Sequence, residues 1–117
     1  MLKLSRKQME TFSHAALMRF ETQMLTHLRR FFPESYQALG DDGARELIHL
    51  GLQRTASHHL VAERDVCKYI NLMVVLGRDF DHRVPWAREI LNDHTTLPPE
   101  KLRRLYQSTI ERAQSRS

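Results

Sequence analysis

The stretch from Leu60 to Leu91 constrains the fold more than any other part of the chain, because it holds the start and stop signals of two consecutive helices. Glu63 and Asp65 supply the negative charges that favour a helix start, and Gly77 is the residue type that most often ends a helix. Pro85 then suits the first turn of another helix. This order predicts helix, loop and helix, without the combination of nucleophile, base and orienting group that would indicate catalysis.

A long first helix is predicted from apolar residues that recur at steps of three and four. The series comprises Met9, Phe12, Ala16, Phe20, Met24, Leu28 and Phe31. Ser5 and Gln8 resemble a capping box ahead of it, and Pro33 is expected to end it. A turn or short helical piece over 34–39 and a loop over 40–43 are expected to follow.

The same kind of spacing predicts four further helices. Their expected core residues are Leu47, Ile48 and Leu52 in the second helix, Val66, Tyr69, Ile70, Met73 and Val74 in the third, Trp86, Ile90 and Leu91 in a short fourth, and Leu102, Leu105, Tyr106 and Ile110 in the fifth. The second helix should stop near His58 or His59, segment 78–84 should be a loop, and the tail from Ala113 should be frayed. Because no alternating strand pattern occurs, we predict an all-α fold with one domain over 1–117, a compact bundle of about five helices.

Composition narrows the classes of protein that fit. The chain has 117 residues, which is sufficient for a single hydrophobic core. Its one cysteine, Cys67, cannot form an intramolecular disulfide or a zinc site with several cysteines. This favours a reducing, cytoplasmic location, although a cysteine-poor periplasmic protein would have the same composition. The N-terminus lacks the apolar core of a signal peptide, and the longest strictly apolar run, Leu72 to Leu76, is too short to span a bilayer, so no membrane association is expected.

The formal net charge of +4 does not by itself indicate a nucleic-acid partner. Arg29 and Arg30 fall at the end of the predicted first helix, where positive charge suits the helix dipole. The basic residues of the predicted fifth helix, Lys101, Arg103, Arg104 and Arg112, are interleaved with Glu100 and Glu111. We therefore expect solvated helix faces rather than the clustered basic stripe of a nucleic-acid-binding protein.

The first helix carries more apolar surface than one core face requires. Met18, Leu25 and Phe32 are spaced seven apart and form a line well separated from the main apolar stripe, which centres near Phe20. One explanation is that the other helices surround this helix. The alternative is that the line binds a partner protein or a second copy of the chain. Arg104 and Arg112 of the fifth helix are the next candidates for partner contact.

Two residues with reactive side chains are predicted to be structural. His27 falls within the apolar stripe of the first helix, which is typical of a buried neutral imidazole that is hydrogen-bonded to a backbone or carboxylate group. Cys67 follows Val66 near the inward face of the third helix. Although Lys68 could lower the pKa of its thiol, no base is arranged beside it by the sequence, so we expect it to be inert.

The predicted turn around Phe80 carries two carboxylates. Asp79 and Asp81 could bind a calcium ion, but the twelve-residue ligand loop with its glycine is absent from the sequence. We expect instead that the carboxylates bind nearby backbone amides while Phe80 fills the core. Trp86, which follows the rigid Pro85, is expected to pack with Phe80 against the third helix.

The histidines of the second helix do not complete a metal site by spacing. Glu46 and His49 form the Glu-x-x-His pattern of di-iron bundles, which requires a second copy and two further glutamates. His58 and His59 are adjacent, and neighbouring residues on a helix do not share a face. We therefore predict no bound metal and no cofactor.

A set of positions from Phe32 to Leu91 matches a family pattern. The residues concerned are Phe32, Pro33, Glu63, Asp65, Val66, Tyr69, Ile70, Leu72, Met73, Leu76, Gly77, Asp79, Phe80, Asp81, Pro85, Trp86, Ala87, Ile90 and Leu91. In these the chain resembles a group of small helical bacterial proteins encoded beside type VI secretion spike and effector genes. It departs from the pattern at His58 and His59, where the group commonly has an aromatic residue and glycine.

The resemblance implies a protein that serves effector loading, folding or self-protection in a secretion system. Together with the lack of a catalytic pattern, it leads us to expect a non-enzymatic, cytoplasmic accessory or chaperone-like factor that binds a type VI effector or its adaptor. The alternative that it leaves open is an immunity protein that binds and neutralises a cognate toxin. In both cases the partner is another protein.

Overall fold

Six helices follow one another along residues 14–60 and 62–115, the parts of the chain that the computed structural model describes. They are α1 (His14–Phe31), α2 (Pro33–Ser57), α3 (Glu63–Leu76), α4 (Phe80–Arg83), α5 (Pro85–Leu91) and α6 (Pro98–Ser115). The predicted all-α class is confirmed, and these ranges contain no strand. The expected capping box at Ser5 and the first apolar positions, Met9 and Phe12, lie outside the described residues.

The junction between the first two helices is tighter than the sequence predicts. Phe32 is the single non-helical residue between them, with φ −134° and ψ 58°, and Pro33 occupies the first turn of α2. Proline therefore both ends α1 and starts α2, since its fixed φ and missing N–H suit a first helical position. The expected short helical piece over 34–39 is present, and the expected loop at 40–43 is reduced to a non-helical break at Gly40, after which α2 resumes. The φ of 75° at Gly40 is a conformation that residues with a side chain rarely adopt.

The boundaries of α3 agree with the prediction. α2 ends one residue before His58, and His59 follows with φ 58°. α3 starts at Glu63 and ends at Gly77, whose φ is 108° and whose N–H donates to the carbonyl of Met73. These signals were readable in the sequence because each depends only on the residue at the helix end and its nearest neighbours.

The segment predicted as a loop at 78–84 contains a helical turn, α4. The N–H of Arg83 donates to the carbonyl of Asp79, and the N–H of Val84 donates to that of Phe80. Phe80 is fully buried and its ring lies 5.0 Å from that of Tyr69 on α3, as the expected core position requires. Two sets of contacts hold this turn. Phe80 packs into the core, and Asp79 and Asp81 form ion pairs with Arg54 of α2.

Trp86 and α6 depart from the prediction. Trp86 is half-buried against the core, and the guanidinium of Arg112 lies 4.6 Å from the centre of its ring. This cation–π contact joins α6 to α5. Ile110, expected in the core, is 52% exposed, and α6 continues to Ser115, beyond the start of the expected fraying at Ala113.

The buried side chains of the described residues form one cluster. α2 packs against α1 and α3, and α6 packs against α3 and α5. The inward face predicted for α3 is correct, since Val66, Tyr69, Ile70 and Met73 are buried and Val74 is partly buried. None of the helices over 14–60 and 62–115 combines the length and apolar character that a membrane crossing requires.

Gly51 of α2 packs tightly against Ile70 of α3. A Cβ atom at this position would lie 2.5 Å from Cγ1 of Ile70 and 3.1 Å from its Cδ1. We expect Gly51→Ala to lower the free energy of unfolding by about 1–2 kcal/mol, because overpacking costs about 1–3 kcal/mol and the better helix propensity of alanine returns at most about 1 kcal/mol. Urea denaturation measures the change.

A double-mutant cycle controls this experiment. In an Ile70→Ala background the conflicting atoms are absent, so Gly51→Ala should there be neutral or stabilising. An equal penalty in both backgrounds would contradict the proposed cause.

Candidate functional site

An open groove runs between the N-terminal turns of α1 and the C-terminal half of α2. Its volume is about 450 Å³. It is lined by His14, Leu17, Met18 and Glu21 of α1 and by His49, Leu52 and Gln53 of α2. The lining positions recur at steps of three and four on each helix, which is the spacing that brings side chains to one helix face. The groove thus has two helical walls and an apolar floor, and its volume lies in the range of protein binding pockets.

Glu21 closes one end of the groove. Its carboxylate contacts Nη1 of Arg45 and Nε2 of His49, two residues of α2. Arg45 also pairs with Asp41 at 3.4 Å. Because both oxygens of Glu21 have partners within the chain, the carboxylate fastens α1 to α2 at this point.

The predicted line of Met18, Leu25 and Phe32 does not form a continuous exposed surface. Met18 is 55% exposed at the groove, but Leu25 is only 4% exposed and belongs to the core. Phe32 is partly buried and lies between the helices rather than on α1. Leu25 is thus buried and the exposed partner line is wrong there, but the explanation that the other helices surround α1 is also wrong, since α1 packs mainly against α2. An exposed position remains only at Met18, which lines the groove.

A partly buried ionic cluster lies at the same C-terminal end of α2, directly after the groove residue Gln53, and is centred on Arg54. Its Nη1 donates to Oδ1 of Asp81 at 2.6 Å and to the carbonyl of Arg78 at 3.1 Å, and its Nη2 donates to Oδ1 of Asp79 at 2.9 Å. The Asp81 side chain is only 3% exposed. The expectation that these carboxylates bind nearby backbone amides is wrong, because a guanidinium with several donors occupies the space between them.

Two further polar groups face this cluster. The hydroxyl of Tyr69 is buried and has no hydrogen-bond partner among the described residues. Burial, reinforced by the charge of Asp81, raises its pKa far above the usual value, so the phenol stays neutral. The Nε2 of His58 lies 3.7 Å from Oδ2 of Asp81. Burial lowers the pKa of His58, and the attraction of Asp81 opposes this without cancelling it.

The lowered pKa of His58 predicts a dependence of stability on pH. An unfolded chain binds this proton more readily than the folded one, so the stabilising contribution is present above about pH 6.5, the unfolded value, and is lost as pH falls toward the folded pKa. Urea denaturation across this range should show the free energy of unfolding of the wild type falling relative to His58→Gln as pH is lowered. The opposite slope would mean that Asp81 dominates and the histidine is held protonated.

His27 belongs to a chain of hydrogen bonds that crosses three helices. Its Nε2 lies 2.8 Å from Oδ1 of Asn71 on α3, Nδ2 of Asn71 donates to the hydroxyl of Tyr106 on α6, and this hydroxyl donates to the carbonyl of Lys68. The direction of the chain requires a proton on Nε2 of His27. The imidazole is partly buried and bonded as predicted, but its partner is an amide rather than a backbone or carboxylate group.

The remaining predicted site residues are held within the chain. Arg104 lies 3.5 Å from Asp93 and 3.6 Å from Glu100, and Arg112 covers Trp86. Both arginines therefore have intramolecular roles, and partner contact by either remains a prediction.

Cys67 is likewise partly buried, and His49 is likewise bound within the chain. Burial raises the pKa of the Cys67 thiol, against the opposing charge of Lys68, which disfavours the reactive thiolate. His49 contacts Glu21 across the helix pair. Within the described ranges, no three side chains of His, Cys, Asp or Glu are grouped so as to hold a metal ion.

Comparison with known proteins adds no relative. No family model, curated protein or solved structure matches the sequence. Function must therefore be argued from the groove, from the contacts of the described residues, and from the pattern of residues between Phe32 and Leu91.

Proposed function

We propose that this chain is a non-enzymatic protein-binding factor that acts as an accessory or chaperone for a type VI secretion effector, or for the effector's adaptor. It binds its partner in the cytoplasm before the partner is loaded on the secretion spike. The observation that carries the binding function is the groove between α1 and α2, with the exposed Met18 at its mouth. The secretion context rests on the resemblance over Phe32 to Leu91.

Several features of the groove suit a protein partner. Among the described residues nothing covers the space between its two rows of helical side chains, an arrangement that accepts an apolar helix or an extended peptide. The polar groups at its closed end, Glu21 and His49, are already bound to each other. Their mutual contact serves helix packing and leaves the apolar floor as the attractive surface.

Capture of the co-encoded effector tests this function. Wild-type protein should retain the effector after co-expression and affinity purification, and Met18→Glu should reduce retention at least about tenfold, since interface energy concentrates in a few apolar anchors. Ile110→Glu provides the matched control, because Ile110 is 52% exposed, close to the 55% of Met18, and lies on α6 away from the groove. It should retain the effector as the wild type does. Failure of the wild type to retain the effector or its adaptor would contradict the proposal.

The same complex distinguishes an immunity protein. An immunity protein blocks the toxic activity of its bound partner at equal stoichiometry, whereas a loading factor leaves the effector competent for release. Full inhibition of the purified effector by one equivalent of the chain would favour immunity over loading.

A further inference from the structure

The α2 wall of the groove continues as an acidic stripe. Asp42, Glu46, His49 and Gln53 are separated by four, three and four residues and so share one face of α2. His49 and Gln53 line the groove, and Asp42 and Glu46 extend the same face toward the start of the helix. Both acids are exposed, and neither forms an ion pair with a described residue.

The charge balance beside the groove is negative in a chain that is positive overall. Among the described residues, four carboxylates lie along this side, those of Glu21, Asp41, Asp42 and Glu46. Two guanidinium groups accompany them: that of Arg45 is paired with the first two, and that of Arg29 is one of the groups that lower the pKa of Asp41. Four negative charges and two positive charges leave two negative charges, against a net charge of +4 for the whole chain. A surface of this sign attracts a basic partner and repels an acidic one.

The length of the groove suits a helical partner. Its α1 wall extends from His14 to Glu21, about 10 Å at 1.5 Å per residue, which is about two helical turns. Two apolar side chains one turn apart on an incoming helix match this length. Glu46 and Asp42 lie one and two turns beyond His49, so basic residues further along the same incoming helix would meet them.

From these observations we infer that the groove binds the apolar face of a basic amphipathic helix of the partner protein, with its lysine or arginine residues opposite Asp42 and Glu46. This inference rests on the proposed protein-binding function and specifies the segment that is recognised. The two apolar side chains of the incoming helix contact Leu17, Met18 and Leu52 and supply the buried area. The charges of Asp42 and Glu46 determine which helix sequences bind.

Two synthetic helical peptides test the inference directly. Both carry the same pair of leucines one turn apart and a fluorescent label, and they differ only in flanking lysines or glutamates. Fluorescence anisotropy at low salt should show that wild-type protein binds the basic peptide at least about tenfold more tightly than the acidic one, with the difference shrinking as salt screens the charges. Equal affinities, or no binding of the basic peptide, would overturn the inference.

Charge variants of α2 supply the matched controls. Asp42→Lys/Glu46→Lys should reverse the preference, and the neutral pair Asp42→Asn/Glu46→Gln should abolish it with the least change to the helix. Met18→Glu should weaken binding of the basic peptide by at least about tenfold, since a charged group then replaces an apolar contact at the mouth of the groove. A preference for the basic peptide that persists in the reversed variant would show that the charges lie elsewhere and would refute the proposed orientation.

The peptide and effector experiments fail independently. If the effector is retained but the peptides show no charge preference, the chain binds its partner by another surface and only the inference falls. If the basic peptide binds as expected but no effector or adaptor is retained, the groove binds a basic helix as inferred and the proposed secretion role is wrong. Sedimentation that reveals a dimer abolished by Asp42→Lys/Glu46→Lys would identify a second copy as the occupant and overturn the inference.

Discussion

Replacing Arg54 with methionine is expected to lower the free energy of unfolding by about 3–5 kcal/mol. The methionine keeps much of the apolar stem but removes the guanidinium that donates to Asp79 and Asp81. Asp81, at 3% exposure, then retains only His58 and His82, each 3.7 Å away. An uncompensated buried carboxylate is costly, because neither water nor a full positive charge replaces the lost partner. Urea denaturation at neutral pH measures the loss.

Arg104 provides the control for this substitution. It also contacts two carboxylates, those of Asp93 and Glu100, but at 3.5 and 3.6 Å on the surface. Arg104→Met should therefore cost no more than about 1 kcal/mol. The combined variant Arg54→Met/Asp81→Asn should recover part of the loss, since it removes the unpaired charge. Similar losses for Arg54→Met and Arg104→Met would contradict the role assigned to burial.

The second large effect is expected from Leu25→Glu. Leu25 is buried in the core between α1 and its neighbours, so the substitution removes an apolar side chain and introduces a carboxylate without a partner. We expect a loss of about 4 kcal/mol or more, which would unfold a domain of ordinary stability partly or completely. Circular dichroism and thermal melting give the result.

Met18→Glu is the matched control on the same helix. Met18 lies two turns earlier and is exposed, and exposed substitutions usually change stability by no more than about 0.5 kcal/mol. The variant should therefore keep its helix content while losing binding. Equal destabilisation by Met18→Glu and Leu25→Glu would show that the groove floor is part of the core and not a free surface.

The parts of the fold that sequence predicted well depend on local signals. The start of α3 follows from two acidic residues, and its end follows from Gly77, because each acts within one helical turn. The apolar face of α3 was equally clear, since apolar residues spaced three and four apart over fourteen residues are typical of one face of a helix.

The parts that it missed depend on contacts between distant residues. Arg54 is one of fourteen arginines in the sequence, and only the folded chain brings it to Asp79 and Asp81, 25 and 27 residues away. The helical turn at Phe80 follows from that contact and has no periodic pattern of its own. Periodicity also revealed a second apolar line on α1, but it could not show that Leu25 in this line is buried while Met18 is exposed.

The ion pairs of Arg54 also affect the order in which the chain can assemble. They join residues on either side of α3, so the segment from Arg54 to Asp81 forms a loop whose two ends are held together by ion pairs. Closing a loop of this length costs little chain entropy, and the helix within it can form tertiary contacts before more distant segments of the chain pack. We expect this loop to open late during unfolding, so that α3 keeps its protection while the ends of the chain unfold.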